Sequence, residues 1–230
     1  MITQEWIADL AGGRSFVDVG GLWGTISERV SDAAKAGAVR VTKTDIQPNM
    51  HELWDKFRAR LTEQGIAECR CVSVDIMAAD AVEQIGCHDI VHCAGLTHQV
   101  SDPIGLLGQL YNLTNDYLIL VSMVIPEHLK TVAGDLISEG GQVLFVPALD
   151  ARQLAVLREH YRDENFKIGS ILDQRSERWI KSDGKPNTGP WWWMYTPAFL
   201  HRMLEVSGFR VVETAPVWGN WSHGFMCRKT

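Results

Sequence analysis

The sequence contains no long apolar run. No stretch approaches the roughly 20 residues a membrane-spanning helix needs. Its first residues show no basic segment followed by an apolar one, so no secretory leader is expected. Basic charge is not in excess: 22 Lys and Arg stand against 28 Asp and Glu, a net charge of -6. That balance argues against sequence-independent binding of nucleic acid. Cysteine is sparse. The five (Cys69, Cys71, Cys87, Cys93, Cys227) are odd in number and lack framework spacing. They read as buried small hydrophobes in a reducing cytoplasm rather than as a disulfide scaffold. No cluster has metal-ligand spacing, so no metal is expected. Repeats and low-complexity segments are missing too. A length of 230 residues then suits one domain, 1–230, carrying one sizeable insertion.

Tryptophan is abundant, with nine residues, three of them consecutive at Trp191, Trp192 and Trp193. The chain is organised around Phe16–Gly24, FVDVGGLWG. Phe16, Val17 and Val19 read as a buried strand. Gly20, Gly21 and Gly24 then make a turn that leads straight into a helix ending near Ala36. Such turns let a ligand approach the backbone, because no Cβ stands in the way. The first residues, 2–11, form an amphipathic helix.

Strands follow at 39–46, 68–76, 88–95 and 116–125, with helices at 48–64, 78–85 and 103–113 between them. Residues 127–138 and 150–162 read as helices flanking a short strand at 142–146. The stretch 181–190 is rich in turn formers. Thr196-Pro197 starts a helix to 207, as an N-cap followed by proline. Strands at 209–214 and 223–228 end the pattern. Alternating strands and helices imply a mostly parallel sheet with helices on both faces. The last two strands, joined without a helix, should pair antiparallel at one edge.

In this order the sequence resembles the class I S-adenosylmethionine-dependent methyltransferase superfamily, along nearly the whole chain. VDVGGLWG at 17–24 stands at the family's glycine motif, with Leu22 and Trp23 where smaller residues are usual. Asp45, with Ile46, ends strand two, where the family holds the ribose. Asp75-Ile76 matches the adenine-site acid and its apolar neighbour. HDIVHCAGLTHQVSDP at 88–103 resembles the fourth strand and its exit loop. TPAFLHRMLEVSGFRVVE at 196–213 resembles the family's late helix and strand. The resemblance implies a Rossmann-like doubly wound sheet of seven strands, mostly parallel, with an antiparallel last strand. It implies S-adenosyl-L-methionine as cofactor, released as S-adenosyl-L-homocysteine, with no metal. The implied cofactor residues are Asp18, Gly20, Gly21, Gly24, Asp45, Ile46, Asp75, Ile76, Cys93 and Gly95.

Methyl transfer to a hydroxyl needs a base, and histidine suits neutral pH. His98 is the first choice, in the loop after strand four; His92 and His128 are the others. The insertion at about 126–193 and the N-terminal helix are expected to form the acceptor site, with Trp191, Trp192, Trp193, Tyr195 and Arg178 as its candidate residues. The function expected is methylation of a small molecule at oxygen, with sugar-type acceptors weakly favoured. A relative modifying tRNA, a nicotinamide oxidoreductase and a non-catalytic cofactor binder are the alternatives. Neither nucleic acid nor membrane is expected as a partner, and the oligomeric state is open, a dimer included.

Overall fold

The computed structural model describes residues 1–22, 28–139, 141–162 and 191–230. A seven-stranded sheet is built from β1 (Ser15–Val19), β2 (Arg40–Asp45), β3 (Arg70–Ser73), β4 (His88–Ala94), β5 (Thr114–Met123), β10 (Phe209–Pro216) and β11 (Ser222–Lys229). Their spatial order is β10-β11-β5-β4-β1-β2-β3. β1 pairs in parallel with β2 and β4, β2 with β3, and β4 with β5. β11 lies between β5 and β10 and is antiparallel to both. The expected antiparallel pair is therefore present, with the last strand one place in from the edge.

The period of two along each strand sorts side chains onto the two faces. Phe16, Ile90 and Ile119 pack with α1 (Ile2–Leu10), α2 (Val30–Lys35) and α3 (Glu52–Glu63). Val17, Val91, Leu118 and Leu120 pack with α4 (Ala81–Ile85), α5 (Pro103–Leu113) and a late helix, α7 (Pro197–Val206). Both α5 and α7 begin as their sequences dictate. Proline stands at the first helical position of each, and the Asp102 carboxylate accepts from Gly105 N at 2.8 Å. The Thr196 hydroxyl accepts from Phe199 N at 3.2 Å. These bonds satisfy N–H groups that the helix itself leaves open.

Several expected elements differ. The helix expected to end near Ala36 is α2, which begins at Val30. The Glu28 carboxylate accepts from Ser31 N at 2.9 Å and so fixes the helix start there. Residues 127–138 form a hairpin and not a helix, with β6 (His128–Thr131) antiparallel to β7 (Gly134–Ile137). The strand expected at 142–146 is only β8 (Leu144–Phe145), paired with β9 (Trp193–Met194). The hairpin, α6 (Ala151–Arg162) and the Trp191–Met194 segment enclose a third apolar cluster around Leu129, Leu157, Tyr161 and Trp191. Among the described residues, no helix is long and apolar enough to cross a membrane. All five cysteines are free thiols. Only Cys93 and Cys227 are buried; Cys69 and Cys71 are half-buried beside and on the edge strand β3, and Cys87 is exposed.

Candidate functional site

Three charged or polar residues stand in one row across the middle of the sheet. Asp18 on β1 is the register partner of Lys43 on β2 and of His92 on β4. All three are buried. Lys43 Nζ lies 2.6 Å from Asp18 Oδ2 and donates also to the Gly20 carbonyl. His92 Nδ1 lies 2.7 Å from Asp18 Oδ1. Arg29 N donates to Asp18 Oδ2 at 3.2 Å. Burial alone would raise the Asp18 carboxyl, but Lys43 and His92 outweigh it and hold that group well below the usual carboxylate range. Asp18 is thus a fixed anion tying β2, β4 and the glycine turn together.

The row forms the floor of a cleft. Ala94, Val121, Val217 and Trp218 make its apolar walls; Thr3, Glu28, Arg29 and the two glycines Gly20 and Gly21 complete the lining. It is an open cleft, holding about 600 Å³ with the solvent at its mouth included. It opens beyond the carboxyl ends of parallel strands, where open α/β sheets bind ligands.

The glycine turn explains its composition. Gly20 and Gly21 have φ of 73° and 74°, a region that side chains with a Cβ avoid. A Cβ on Gly20 would sit 2.7 Å from Leu96 Cδ1, whereas one on Gly21 would have, among the described residues, only Lys43 Nζ, at 4.0 Å, nearby. The backbone at Gly21 is therefore open to a ligand, with an ammonium close by. Leu22 does not cover the site, being fully buried in the core. Trp23 and Gly24 lie outside the described residues, as does Arg178.

Asp45 is buried, and its two oxygens accept from Leu22 N and Gln47 N, each at 3.0 Å. Its carboxylate thus holds the turn in shape. Ile46, just past it, is 61% exposed. Val74 N donates to the Asp45 carbonyl at 2.9 Å, which carries the β3 exit past the end of β2. There Asp75 is exposed and accepts from Met77 N at 2.9 Å, and Ile76 is buried. Gly95 has φ of 79° and leaves β4 with its N–H on the Val121 carbonyl at 2.9 Å. The Cys93 side chain faces the opposite core, where burial and then the Asp18 charge push its thiol up.

The three histidines part company. His92 lines the cleft with Nδ1 engaged by Asp18. His98 is buried under Trp191, with ring centroids 4.7 Å apart and no partner for Nδ1. Burial pushes its pKa down to about 3. His128 stands exposed on the β6–β7 hairpin, paired with Glu139.

The tryptophan run divides between environments. Trp191 is buried in the third cluster, edge-on to Tyr161 at 5.4 Å. Trp192 stacks on Phe145 at 6.1 Å. Trp193 packs on Phe145 at 4.9 Å, and its indole N–H donates to the Ser101 carbonyl at 3.3 Å. Trp192 N donates to the His98 carbonyl at 2.8 Å, and the buried Tyr195 hydroxyl to that of Thr97 at 3.2 Å. The segment therefore clamps the β4 exit loop.

Sequence reading missed Lys43 and Trp218, and did not single out Thr3, although the N-terminal helix that carries it was expected at the acceptor site. A lysine between two threonines in the middle of a strand was the available signal for the first. Trp218 follows Pro216-Val217 between the last two strands, and nothing in its spacing marks it. Among the described residues no group of three or more His, Cys, Asp or Glu is placed to hold a metal ion.

No protein-family model and no curated protein sequence matches the chain. Solved structures do. Magnesium protoporphyrin IX methyltransferase from Synechocystis, with bound SAH, superposes over all of this chain and 81% of its own, with a TM-score of 0.58 at 17% identity. An O-methyltransferase family protein from Burkholderia thailandensis superposes with a TM-score of 0.61 at 11% identity, over all of this chain and 55% of its own. Mitomycin 7-O-methyltransferase gives 0.56 at 16%, again over all of this chain and 54% of its own. The chain thus spans about half the length of the last two. At these identities the likeness is one of fold: the chain has the seven-stranded class I methyltransferase fold.

Proposed function

We propose that this chain, carrying that fold, is an S-adenosylmethionine-dependent methyltransferase acting on a hydroxyl of a small molecule. The observation that carries the reading is the Asp18–His92 pair at the floor of a cleft beside an open glycine turn. The residues present fit the cofactor. Gly20 and Gly21 leave backbone bare beside Lys43. Exposed Ile46 and Asp75, on neighbouring strand exits, offer an apolar face and an acceptor for an adenosine. Asp18 and Asp45 act one step back, fixing the turn; Ile76 and Gly95 shape the adjoining strand exits.

When bound, S-adenosylmethionine supplies a methyl group already activated on a sulfonium. The protein must orient the acceptor, keep water out and take a proton. His92 does the last. A carboxylate only accepts, so the imidazole donates from Nδ1 to Asp18, and Nε2 is left as the acceptor of the hydroxyl proton. This places His92 ahead of His98, which lies under Trp191, and of His128, on the hairpin surface. The insertion and its Trp192, Trp193 and Tyr195 frame the β4 exit loop, and Arg178 remains a candidate for the acceptor. The free thiols support a reducing, cytoplasmic setting.

Thermal-shift titration tests the cofactor. S-adenosylhomocysteine at 100 times its Kd should stabilise the protein by about 2.7 kcal/mol through mass action, and NAD should not. A shift with NAD and none with S-adenosylhomocysteine would overturn the proposal.

A further inference from the structure

We propose that Cys71 is a nucleophilic thiol that exchanges with small disulfides such as oxidised glutathione, with Cys69 and Arg58 as the groups that set it up. The site lies on β3 and does not depend on the function proposed above.

Strand register places it. His92, Asp18, Lys43 and Cys71 are register partners in turn across β4, β1, β2 and β3. The buried charge row of the sheet therefore ends in a sulfur, and among the described residues no further strand follows β3. Cys69 and Cys71 share one face and Arg70 takes the other. Arg70 donates to the Gln84 and Ile85 carbonyls, each at 2.6 Å, while both cysteines pack against the cluster that holds Phe57 and Leu61 of α3. Cys71 Sγ lies 3.9 Å from the Cys69 carbonyl, and Cys69 Sγ 3.7 Å from that of Arg70. The two thiols are hydrogen-bonded to each other, and the Arg58 guanidinium donates to Cys71 from α3. Arg58 is itself steadied by Asp55, 3.1 Å away and one turn earlier.

Two sulfurs this close do not both ionise, because the second charge meets the first. Arg58 decides which one does. The hydrogen bond from Cys69, with Arg58 and then Lys43 adding to it, outweighs burial and draws the Cys71 thiol down to about 7. The same bond, followed by burial, pushes the Cys69 thiol up. Cys71 is thus about half ionised at neutral pH, where an ordinary thiol is ionised only to a few per cent. An attacking thiol works best with its pKa near the ambient pH.

The remaining cysteines differ. Cys93 and Cys227 are buried, and burial pushes both thiols up. Cys87 is exposed, its Sγ 3.4 Å from the Asn112 carbonyl. Exposure alone would favour Cys87 over the half-buried Cys71, which makes Cys87 the internal control. In the exchange the Cys71 thiolate attacks one sulfur of glutathione disulfide. The new sulfur–sulfur bond forms as the old one breaks. The second glutathione leaves with that electron pair as a thiolate and takes a proton from water. Cys71 is oxidised to a mixed disulfide, and the departing half of the reagent is reduced.

Initial rates of exchange with oxidised glutathione, quenched in acid and read peptide by peptide by mass spectrometry, test the proposal on the whole chain. At pH 6 Cys71 should carry most of the mixed disulfide, ahead of Cys87. The Cys71 rate should be half-maximal near pH 7. Cys69→Ala and Arg58→Gln should each move that midpoint up, by about one pH unit. The second changes a side chain that is 49% exposed, so it reports even if Cys69→Ala disturbs the edge of the sheet. Faster reaction of Cys87 at pH 6, a wild-type midpoint at about 8.5 or higher, or a midpoint unmoved by Arg58→Gln would each overturn it.

Discussion

His92 Nδ1 lies 2.7 Å from Asp18 Oδ1, and the two residues are direct register partners on adjacent parallel strands. Because both sit within strands, near their carboxyl ends, the imidazole is aimed by the sheet itself rather than by a loop. His92→Gln should lower kcat about 10²–10⁴-fold, the usual worth of a positioned base. S-adenosylhomocysteine affinity should stay within about two-fold, since His92 is not called on to hold the cofactor. Steady-state rates with calorimetry separate the two; turnover close to wild type would remove His92 from the role.

Lys43→Met should be costly. It leaves the Asp18 carboxylate buried with, among the described residues, only His92 and one backbone N–H as partners, and breaking a buried pair from one side costs about 3–5 kcal/mol. The pH dependence has a definite sign. A carboxyl held low in the folded state adds stability above its unfolded pKa, near 3.9, and loses it as pH falls further. The gap between variant and wild type in urea denaturation should therefore be wide at pH 7 and narrow below about pH 4. A constant gap would show that Lys43 acts by packing alone.

The two turn glycines should respond differently to alanine. At both, the positive φ costs about 1–2 kcal/mol. At Gly20 the new methyl also meets Leu96 at 2.7 Å, so the turn or the β4 exit loop must move. Gly20→Ala should lose S-adenosylhomocysteine binding, and Leu96→Ala should restore part of it. Gly21→Ala should keep a stable fold and show only the effect of a methyl projecting toward the ligand. Thermal melts with and without ligand read both effects. Equal behaviour of the two variants would mean that Leu96 yields freely.

Acid should weaken the fold before the carboxylates titrate. His88 donates from Nδ1 to the Gly86 carbonyl and accepts at Nε2 from the Thr42 hydroxyl, both at 2.8 Å. Burial pushes its pKa down to about 4. The unfolded chain binds a proton there that the folded chain refuses, so stability is full above about pH 6.5 and declines toward pH 4. His98, pushed down to about 3 by burial, adds to the same slope. His88→Gln should reduce the dependence between pH 6.5 and 4.5. An unchanged slope would assign it elsewhere.

Trp191→Ala should act on stability. The ring is packed between His98 and Tyr161, and removing so large a buried side chain costs about 3–5 kcal/mol. The Kd for S-adenosylhomocysteine, measured well below the melting temperature, should change little. A large loss of ligand affinity at unchanged stability would move Trp191 from the core into the site.

How much was legible depended on how local the signal was. Asp102-Pro103 and Thr196-Pro197 announce their helices because cap and first turn are adjacent in sequence. The stretch 127–138, expected as a helix, holds Leu129 and Leu136. Seven residues apart, they mimic two turns of a helix, yet they are cross-strand partners in a hairpin; Gly134, at φ 131°, was the overlooked sign. Asp18 and His92 could each be singled out, but not their meeting, because strand register is set by tertiary packing. The tryptophan run was read as a pocket lining since three neighbours cannot share one core. The sheet resolves that by giving Trp191 and Trp193 to different clusters.

The strand order also sets a sequence of events in time. β5 cannot complete its outer ladder until β11 arrives, and residues 124–221 must be synthesised between them. Pairings this distant form late, because loop closure comes before any contact rewards it. Until then β5, apolar along most of its length, presents an open edge of the kind that recruits other chains. The wall bearing Trp218 belongs to the connection leading into β11, so the cleft should be the last region to gain protection from hydrogen exchange during refolding.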